Sequence, residues 1–239
     1  MSGPRTPLLR PGRYFAAHDG SPPLKHAALA VLVVAVATAG GAALIIDQLA
    51  AALDVPVTVD NPAYPGDMFC GENSAYDDTP SGCDEPKTVE RELGALVAEE
   101  FSWLPFATLL LVPVWWLFQA TVLHLTSALA DGEGSFDGTL AVAGWGMVPS
   151  LVRLVGVAGF IAVSVQSITA PADPDGAVQA LRVAMTGVQP LSFGLAFLAA
   201  VWAGAIRTYG LADARDLSTW RAGWIVGLLT LFGLLFELG

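Results

Sequence analysis

Charge is the scarce ingredient of this 239-residue chain. Only 14% of its side chains are Asp, Glu, Lys or Arg, against 54% that are hydrophobic, whereas a water-soluble domain carries about 25% charged residues to cover its surface. With a mean hydropathy of +0.58, that shortage excludes a disordered tail and an ordinary soluble domain, so much of the apolar area must meet lipid. Lysine is nearly absent, two residues against nine Arg, and the net charge of −11 leaves no basic face for phosphate. Nucleic acid is thereby excluded as a partner. Fourteen Asp and eight Glu beside so little Lys is the bias expected of a halophile.

Catalytic motifs are missing too. There is no Gly-x-Ser-x-Gly turn, no His-Glu-x-x-His, no P-loop and no acid pair inside an apolar run. An intramembrane serine protease would need Ser and His facing each other; Ser150 or Ser164 with His124 is the available combination, and no motif supports it. A non-enzymatic chain without cofactor or metal is the expectation.

What is present is a series of long apolar runs. Residues 27–46 hold no charge and match the ~20 apolar residues that cross a hydrocarbon core of ~30 Å. A cleavable signal peptide also follows a basic segment, but its apolar stretch is shorter than this one. Residues 101–130 lack Asp, Glu, Lys and Arg and read as a second span, tilted or kinked near Pro113. Residues 138–170, broken once by Arg153, are too long for one straight span and too short for two, so they read as one span bent at Pro149. Residues 191–209 and 220–238 complete five spans, the last with Trp220 and Trp224 at an interfacial position. The expected fold is an all-α membrane protein, a five-span transmembrane helical bundle with an acidic, disulfide-closed extracytoplasmic loop.

Residues 1–26 carry Arg5, Arg10, Arg13 and Lys25 against Asp19, whereas the loop 47–100 carries thirteen acids against Lys87 and Arg91. The positive-inside rule puts the N-terminus in the cytoplasm of a cell-membrane protein and the C-terminus outside. On that alternation Arg207, Arg215 and Arg221 join the inner face, and sixteen of the 22 acids lie outside. The segment Asp131 to Asp137 is inside without a balancing cation, which the rule tolerates because acids contribute little to orientation.

Cys70 and Cys83, the only cysteines, share the outer loop. In an oxidising exterior a disulfide is the natural reading, stabilising by ~3 kcal/mol in the chain-entropy model; two free thiols are the alternative. No histidine lies in that loop, so a zinc site lacks ligands. The turn formers Asn61-Pro62, Pro65-Gly66 and Pro80-Ser81-Gly82 suggest an irregular subdomain. Val89, Leu93, Leu96, Val97 and Phe101 recur at helical spacing, as do Val178, Leu181, Met185 and Val188, predicting two amphipathic helices at the outer interface.

Arg153 is the one full charge expected within the spans, with Gln119, His124 and Gln166 as other polar groups there. Two placements fit it. In one it faces the bundle interior and bonds Gln119 or carbonyls freed near Pro149 or Pro113; in the other it snorkels or lines a wet crevice. Gly40-Gly41, Ala200 with Gly204, and Gly223 with Gly227 mark close helix contacts. Three carboxylates between Asp131 and Asp137 suggest a cation loop, but the remaining ligands of a calcium loop are missing. Ser135 as a helix N-cap, with Asp137 in the first turn, is the better reading.

This loop opens a resemblance. Gly132-x-Gly134-Ser135-Phe136, then Thr139-Leu140-Ala141-Val142-x-Gly144-Trp145 and Pro149, resembles the core signature of the Yip1 family, in which a Gly-Ser-Phe-like turn opens the third of five spans. Leu9-Arg10-Pro11-Gly12-Arg13-Tyr14-Phe15 is similar to the Pro-x-x-Phe-Phe interfacial entry of prokaryotic, haloarchaeal-type members. Ile206-Arg207-x-x-Gly210-Leu211 followed by Leu217-Ser218-x-x-Arg221-Ala222 is similar to their loop between the fourth and fifth spans. The resemblance implies a cytoplasmic N-terminus and a non-enzymatic protein, and brings no catalytic residues; the acidic loop looks like an insertion. The vesicle-traffic role of eukaryotic members does not carry over, since their long N-terminal domain is lacking.

The expected function is that of an integral membrane adaptor or membrane-organising component, in contact with the bilayer and with other membrane proteins or a cytoplasmic protein. The competing expectation is a small permease or transporter subunit with Arg153 lining a polar path for an anion. A continuous polar crevice reaching Arg153 would favour transport, and a closed bundle interior would favour the adaptor.

Overall fold

A computed structural model describes residues 4–19, 22–70, 81–166 and 173–236. Part of the acidic loop (71–80), the ends of the third and fifth expected spans (167–170 and 237–238) and Pro171 of the following turn lie outside the described residues.

Among the described residues, ten α-helices and two strands follow one another: α1 (Pro11–Ala16), α2 (Leu24–Ala52), β1 (Pro56–Asp60), α3 (Asp67–Cys70), β2 (Thr88–Glu92), α4 (Leu93–Glu100), α5 (Leu104–Ala128), α6 (Phe136–Trp145), α7 (Ser150–Gln166), α8 (Pro174–Ala184), α9 (Val188–Ala214) and α10 (Thr219–Phe236). Among the described residues, four stretches are long and apolar enough to cross a membrane: Leu24–Ala52, Leu93–Ala128, Phe136–Gln166 and Pro174–Ala214; Thr219–Leu235 is a shorter apolar helix. Large side chains such as Leu32, Val36, Leu110, Trp115, Leu198, Val201 and Leu228 are exposed along them. An apolar surface that extensive is met by lipid, and the chain is a multi-pass membrane protein.

The contacts divide the chain into two units. The first comprises Met1–Ile45, Trp103–Ile161 and Gly187–Gly239. At its centre lies α6, which packs on α5 and α9, and every residue from Gly138 to Trp145 is buried. A helix with no exposed face needs small residues where neighbours approach, and Gly138, Ala141, Ala143 and Gly144 provide them. Gly144 faces the Trp116 indole and Ala27 so closely that a Cβ would lie 3.0 Å from Trp116 Nε1; that indole donates to the Leu140 carbonyl at 2.8 Å. Tyr14 and Phe15 of α1, 1% and 0% exposed, plug this core beside Val142, Trp145 and Ile206. Trp202 Nε1 ties the preceding segment down by donating to the Leu8 carbonyl at 2.7 Å.

Within the apolar stretch Phe136–Gln166 the helix is interrupted by a turn next to Pro149. α6 ends at Trp145, a turn covers 146–149, and α7 restarts at Ser150, whose hydroxyl donates to the Met147 carbonyl at 2.7 Å. Proline has no N–H to continue the ladder, and Pro149 is fully buried at the break. α5, by contrast, runs uninterrupted through Pro113.

The second unit comprises Ile46–Ser102 and Ala162–Thr186. Here the sequence reading needs correcting, because the loop is not merely irregular. β1 and β2 form an antiparallel pair with Val59 opposite Val89 and Val57 opposite Arg91, so Val89 belongs to a strand, and the helical stripe begins only at Leu93. The period-2 run Val57-Thr58-Val59 supplies the partner that converts Val89 to Glu92 into strand. Asn61 closes the ladder, donating to the Pro86 carbonyl at 2.8 Å while its Oδ1 accepts from Ala63 N. Cys70 and Cys83 form a disulfide with Cα atoms 5.3 Å apart. Leu53, Val55 and Ala177 make a small core with Leu93, Val97 and Leu181, so of the stripe on α8 Leu181 packs inside this unit while Val178 is exposed.

Candidate functional site

Two constructions in the first unit carry the polar groups of the bundle. The first is the loop between α5 and α6. Arg215, one residue past α9, is only 3% exposed and reaches back across this loop. Its Nε donates to Ser127 Oγ at 2.9 Å, Nη2 to the Gly132 carbonyl at 2.6 Å, and Nη1 to the Gly134 carbonyl. Its own carbonyl accepts from Glu133 N at 2.9 Å. All three guanidinium acceptors are neutral, and burial pushes the Arg215 pKa down from its ordinary value. The geometry is a fork satisfying two loop carbonyls and a hydroxyl at once, which lysine's point charge does not reproduce.

The glycines are explained by this clamp. Gly134 has φ +119°, and a Cβ there would lie 2.3 Å from the Ala214 carbonyl oxygen. Ser135 then caps α6, its Oγ accepting from Gly138 N at 3.3 Å, with Asp137 in the first turn. Phe136 lies edge-on to His124, ring centroids 5.3 Å apart, and His124 Nδ1 is 3.2 Å from Thr139 Oγ1. His124 therefore packs against the opening turn of α6, while Ser150 bonds the Met147 carbonyl. The clamp leaves Leu129 (88% exposed) and Phe136 (38%) on the surface beside Asp131 and Glu133. Arg221 steadies the far edge, with Nη1 3.3 Å from the Ala130 carbonyl and 3.8 Å from the Asp131 carboxylate.

The second construction is a cavity of about 850 Å³ bounded by α5, α7, α9 and α10. Ala196, Ala199, Ala200 and Ala203 form one wall at helical spacing, faced by apolar groups of α5 and α10. Arg153 and Arg207 enter it, with Gln119, Ser150 and Thr230 as other polar side chains among the described residues of the lining. Gln119 is engaged by an arginine, but by Arg207, whose Nη2 donates to Gln119 Oε1. Arg153 instead donates from Nε to Ser192 Oγ at 2.9 Å. The Arg207 side chain runs over Gly146, where a Cβ would lie 2.5 Å from Nε; here the glycine is needed for room. The interior is therefore neither closed nor a polar route, since its walls are mainly alanine, leucine, valine and aromatic side chains.

The charge alternation places both Arg207 and Arg215 on the inner face and gives neither a role in the bundle. For Arg207 a signal existed, because the alanines at 196, 199 and 203 lead to it by steps of three and four. For Arg215 none did, since Asp213 and Asp216 beside it read as an ordinary polar loop.

Among the three histidines and two cysteines, no metal-binding cluster forms in the described residues. No curated protein and no solved structure matches the chain. The Yip1 domain family matches residues 6–238, a range that includes the buried α6, the clamped loop and the arginine-lined cavity. By that match over nearly its whole length, the chain belongs to the Yip1 domain family.

Proposed function

We propose that this protein is a non-enzymatic membrane adaptor or membrane-organising component, with its N-terminus in the cytoplasm of the cell and its C-terminus outside. Yip1 proteins are generally a non-catalytic membrane family, which supports the non-enzymatic part of the reading. The observation that carries the adaptor part is the loop held by Arg215. A loop so clamped loses little conformational entropy on binding, and it exposes Leu129 and Phe136 in a segment that also carries Asp131, Glu133 and Asp137. The basic segment before α2 supports the cytoplasmic placement of that end. A transport role draws less support, because the cavity reaching Arg153 is mostly apolar.

The test is affinity purification in mild detergent of the full chain beside a Leu129→Ser/Phe136→Ser variant, followed by mass spectrometry. A membrane or cytoplasmic protein recovered with the parent chain and lost with the variant is the expected result. Identical recovery from both chains, with the variant folded, would sink the assignment of this surface.

A further inference from the structure

We infer that a second cavity, lined by α1, the first turns of α2 and the junction of α6 with α7, binds a membrane phospholipid, an oxygen of its phosphate accepting from Tyr14 and Trp145 and its chains lying along α2. The cavity has a volume of about 730 Å³, within the range that holds ligands.

Two buried donors carry the inference. Tyr14 and Trp145 are 1% and 7% exposed, both belong to the lining, and their ring centroids lie 6.1 Å apart. Tyr14 Oη and Trp145 Nε1 are buried, and neither has a hydrogen-bond partner among the described residues. An indole only donates, whereas a phenol donates and accepts. The pair thus brings two protons and one acceptor, the phenolic oxygen. Even where the indole leans on that oxygen, the phenol proton is left without an acceptor. Buried polar groups are otherwise nearly always paired, so the site calls for an acceptor from outside the chain. A phosphate oxygen makes shorter and stronger bonds to such donors than a neutral oxygen does.

The shape says what else the acceptor is attached to. Arg5, His18 and His26 line the cavity together with Val33 and Leu151. His26 and Val33 are seven residues apart on α2, or about 10 Å at 1.5 Å per residue, and the hydrocarbon of one leaflet is ~15 Å deep. Leu151 packs at the deeper level, against the cluster of Val31 and Val34. The lining therefore passes from polar to apolar along α2, as a phospholipid does from headgroup to chain. Leu29 and Val33 are also more than half exposed, so the cavity opens sideways to the membrane. A peptide entering there would carry backbone N–H groups that hydrocarbon cannot satisfy. Water needs two to four polar partners, which the deeper walls do not offer.

The full-length protein, delipidated in mild detergent, would be offered phosphatidylcholine and the diacylglycerol with the same chains in equal amounts and examined by native mass spectrometry. Phosphatidylcholine is chosen because its headgroup has no net charge, so that the phosphate acceptor is what the comparison reads. Retention of the phospholipid about tenfold over the diacylglycerol is expected. Tyr14→Phe keeps the ring and removes the unpaired hydroxyl: it should lower that ratio to about two, leave the delipidated protein at least as stable as the parent, and shrink the rise in Tm that phosphatidylcholine gives. If Tyr14→Phe fails to accumulate, Ala30→Leu carries the test, since Ala30 lines the cavity and the larger side chain should lower retention of both lipids several-fold. Equal retention of the two lipids by the parent, a ratio unchanged in Tyr14→Phe, or retention undiminished in Ala30→Leu overturns the inference. So does an equal loss of stability in Tyr14→Phe with and without lipid, which would make the phenol purely structural, or displacement of bound lipid by millimolar inorganic phosphate, which would make this a small-anion site. None of these variants alters Leu129 or Phe136, so a failure here is distinguishable from a failure of the adaptor reading.

Discussion

At the scale of single residues, the loop between α5 and α6 shows how a positive charge can be structural without an ion pair. Arg215 spends its guanidinium on Ser127 and on the carbonyls of Gly132 and Gly134. Hydrogen bonds to a charged donor each contribute ~1.5–3 kcal/mol, and their loss strands buried acceptors. Arg215→Lys should therefore cost about 3 kcal/mol in detergent unfolding, despite keeping the charge; a loss below about 1 kcal/mol would mean that water replaces the fork. Gly134→Ala tests the same loop from the backbone side. The left-handed φ costs ~1–3 kcal/mol for a non-glycine residue, and the Cβ collides with the Ala214 carbonyl, so a loss of at least about 2 kcal/mol is expected. In the second unit, Asp67 accepts from Lys87 and from Tyr64 Oη. These two bonds, Lys87 first, hold its carboxyl below the ordinary aspartate range. The bonds are thus fully present above the ordinary aspartate pKa of ~4 and are lost as pH falls through the lower pKa of the folded state. An NMR titration should find the Asp67 midpoint below that of a free aspartate and moved back upward in Lys87→Gln.

At the scale of elements, the disulfide, the hairpin and the small core of Leu53, Val55 and Ala177 form one cooperative test. Cys70 and Cys83 close a loop of sequence separation 13, for which the chain-entropy model gives ~3 kcal/mol. Reduction, or Cys70→Ser with Cys83→Ser, should raise amide exchange across Thr88–Glu92 while leaving α6 and α9 protected; equal exchange in oxidised and reduced protein would show that the strand pair stands without the bond. The elements also explain what was legible beforehand. Apolar runs above about 20 residues announce membrane helices whatever their neighbours do, so the spans could be read in advance. The strand Thr88–Glu92 could not, because its fate depends on Val57 and Val59 some thirty residues away, while local spacing joined Val89 to the helix that follows. The family signature pointed to the loop at Gly132 and Gly134, yet not to its reason, since Arg215 arrives from 81 residues beyond Gly134. Arg153 drew attention as the lone charge within a span; Arg207 escaped because the end of a span is where a solvated arginine is ordinarily found.

At the scale of the whole molecule, the acidity separates from the apolar bulk. The loop 47–100 carries thirteen acids and two cations, and among the described residues both cations are already paired, Lys87 with Asp67 at 2.6 Å and Arg91 with Glu99 at 2.8 Å. The proposed orientation puts this loop outside, so an impermeant maleimide should label Cys70 and Cys83 in intact cells after mild external reduction, and labelling only after lysis would reverse the topology. Salt is the second lever on the same charges. Acids left without a cation repel one another over the Debye length, ~3 Å at 1 M and ~30 Å at 0.01 M. Exposed pairs contribute little to stability, typically below ~1 kcal/mol, so screening the unpaired acids should outweigh weakening the two bridges. Protease cleavage between Asp47 and Glu100 is therefore expected to slow as salt rises from 0.05 M to 2 M, with little change in the helices of the first unit. Potassium chloride and sodium chloride should act alike if screening is the cause, whereas a difference between the two cations at equal ionic strength would mean specific ion binding to the carboxylates.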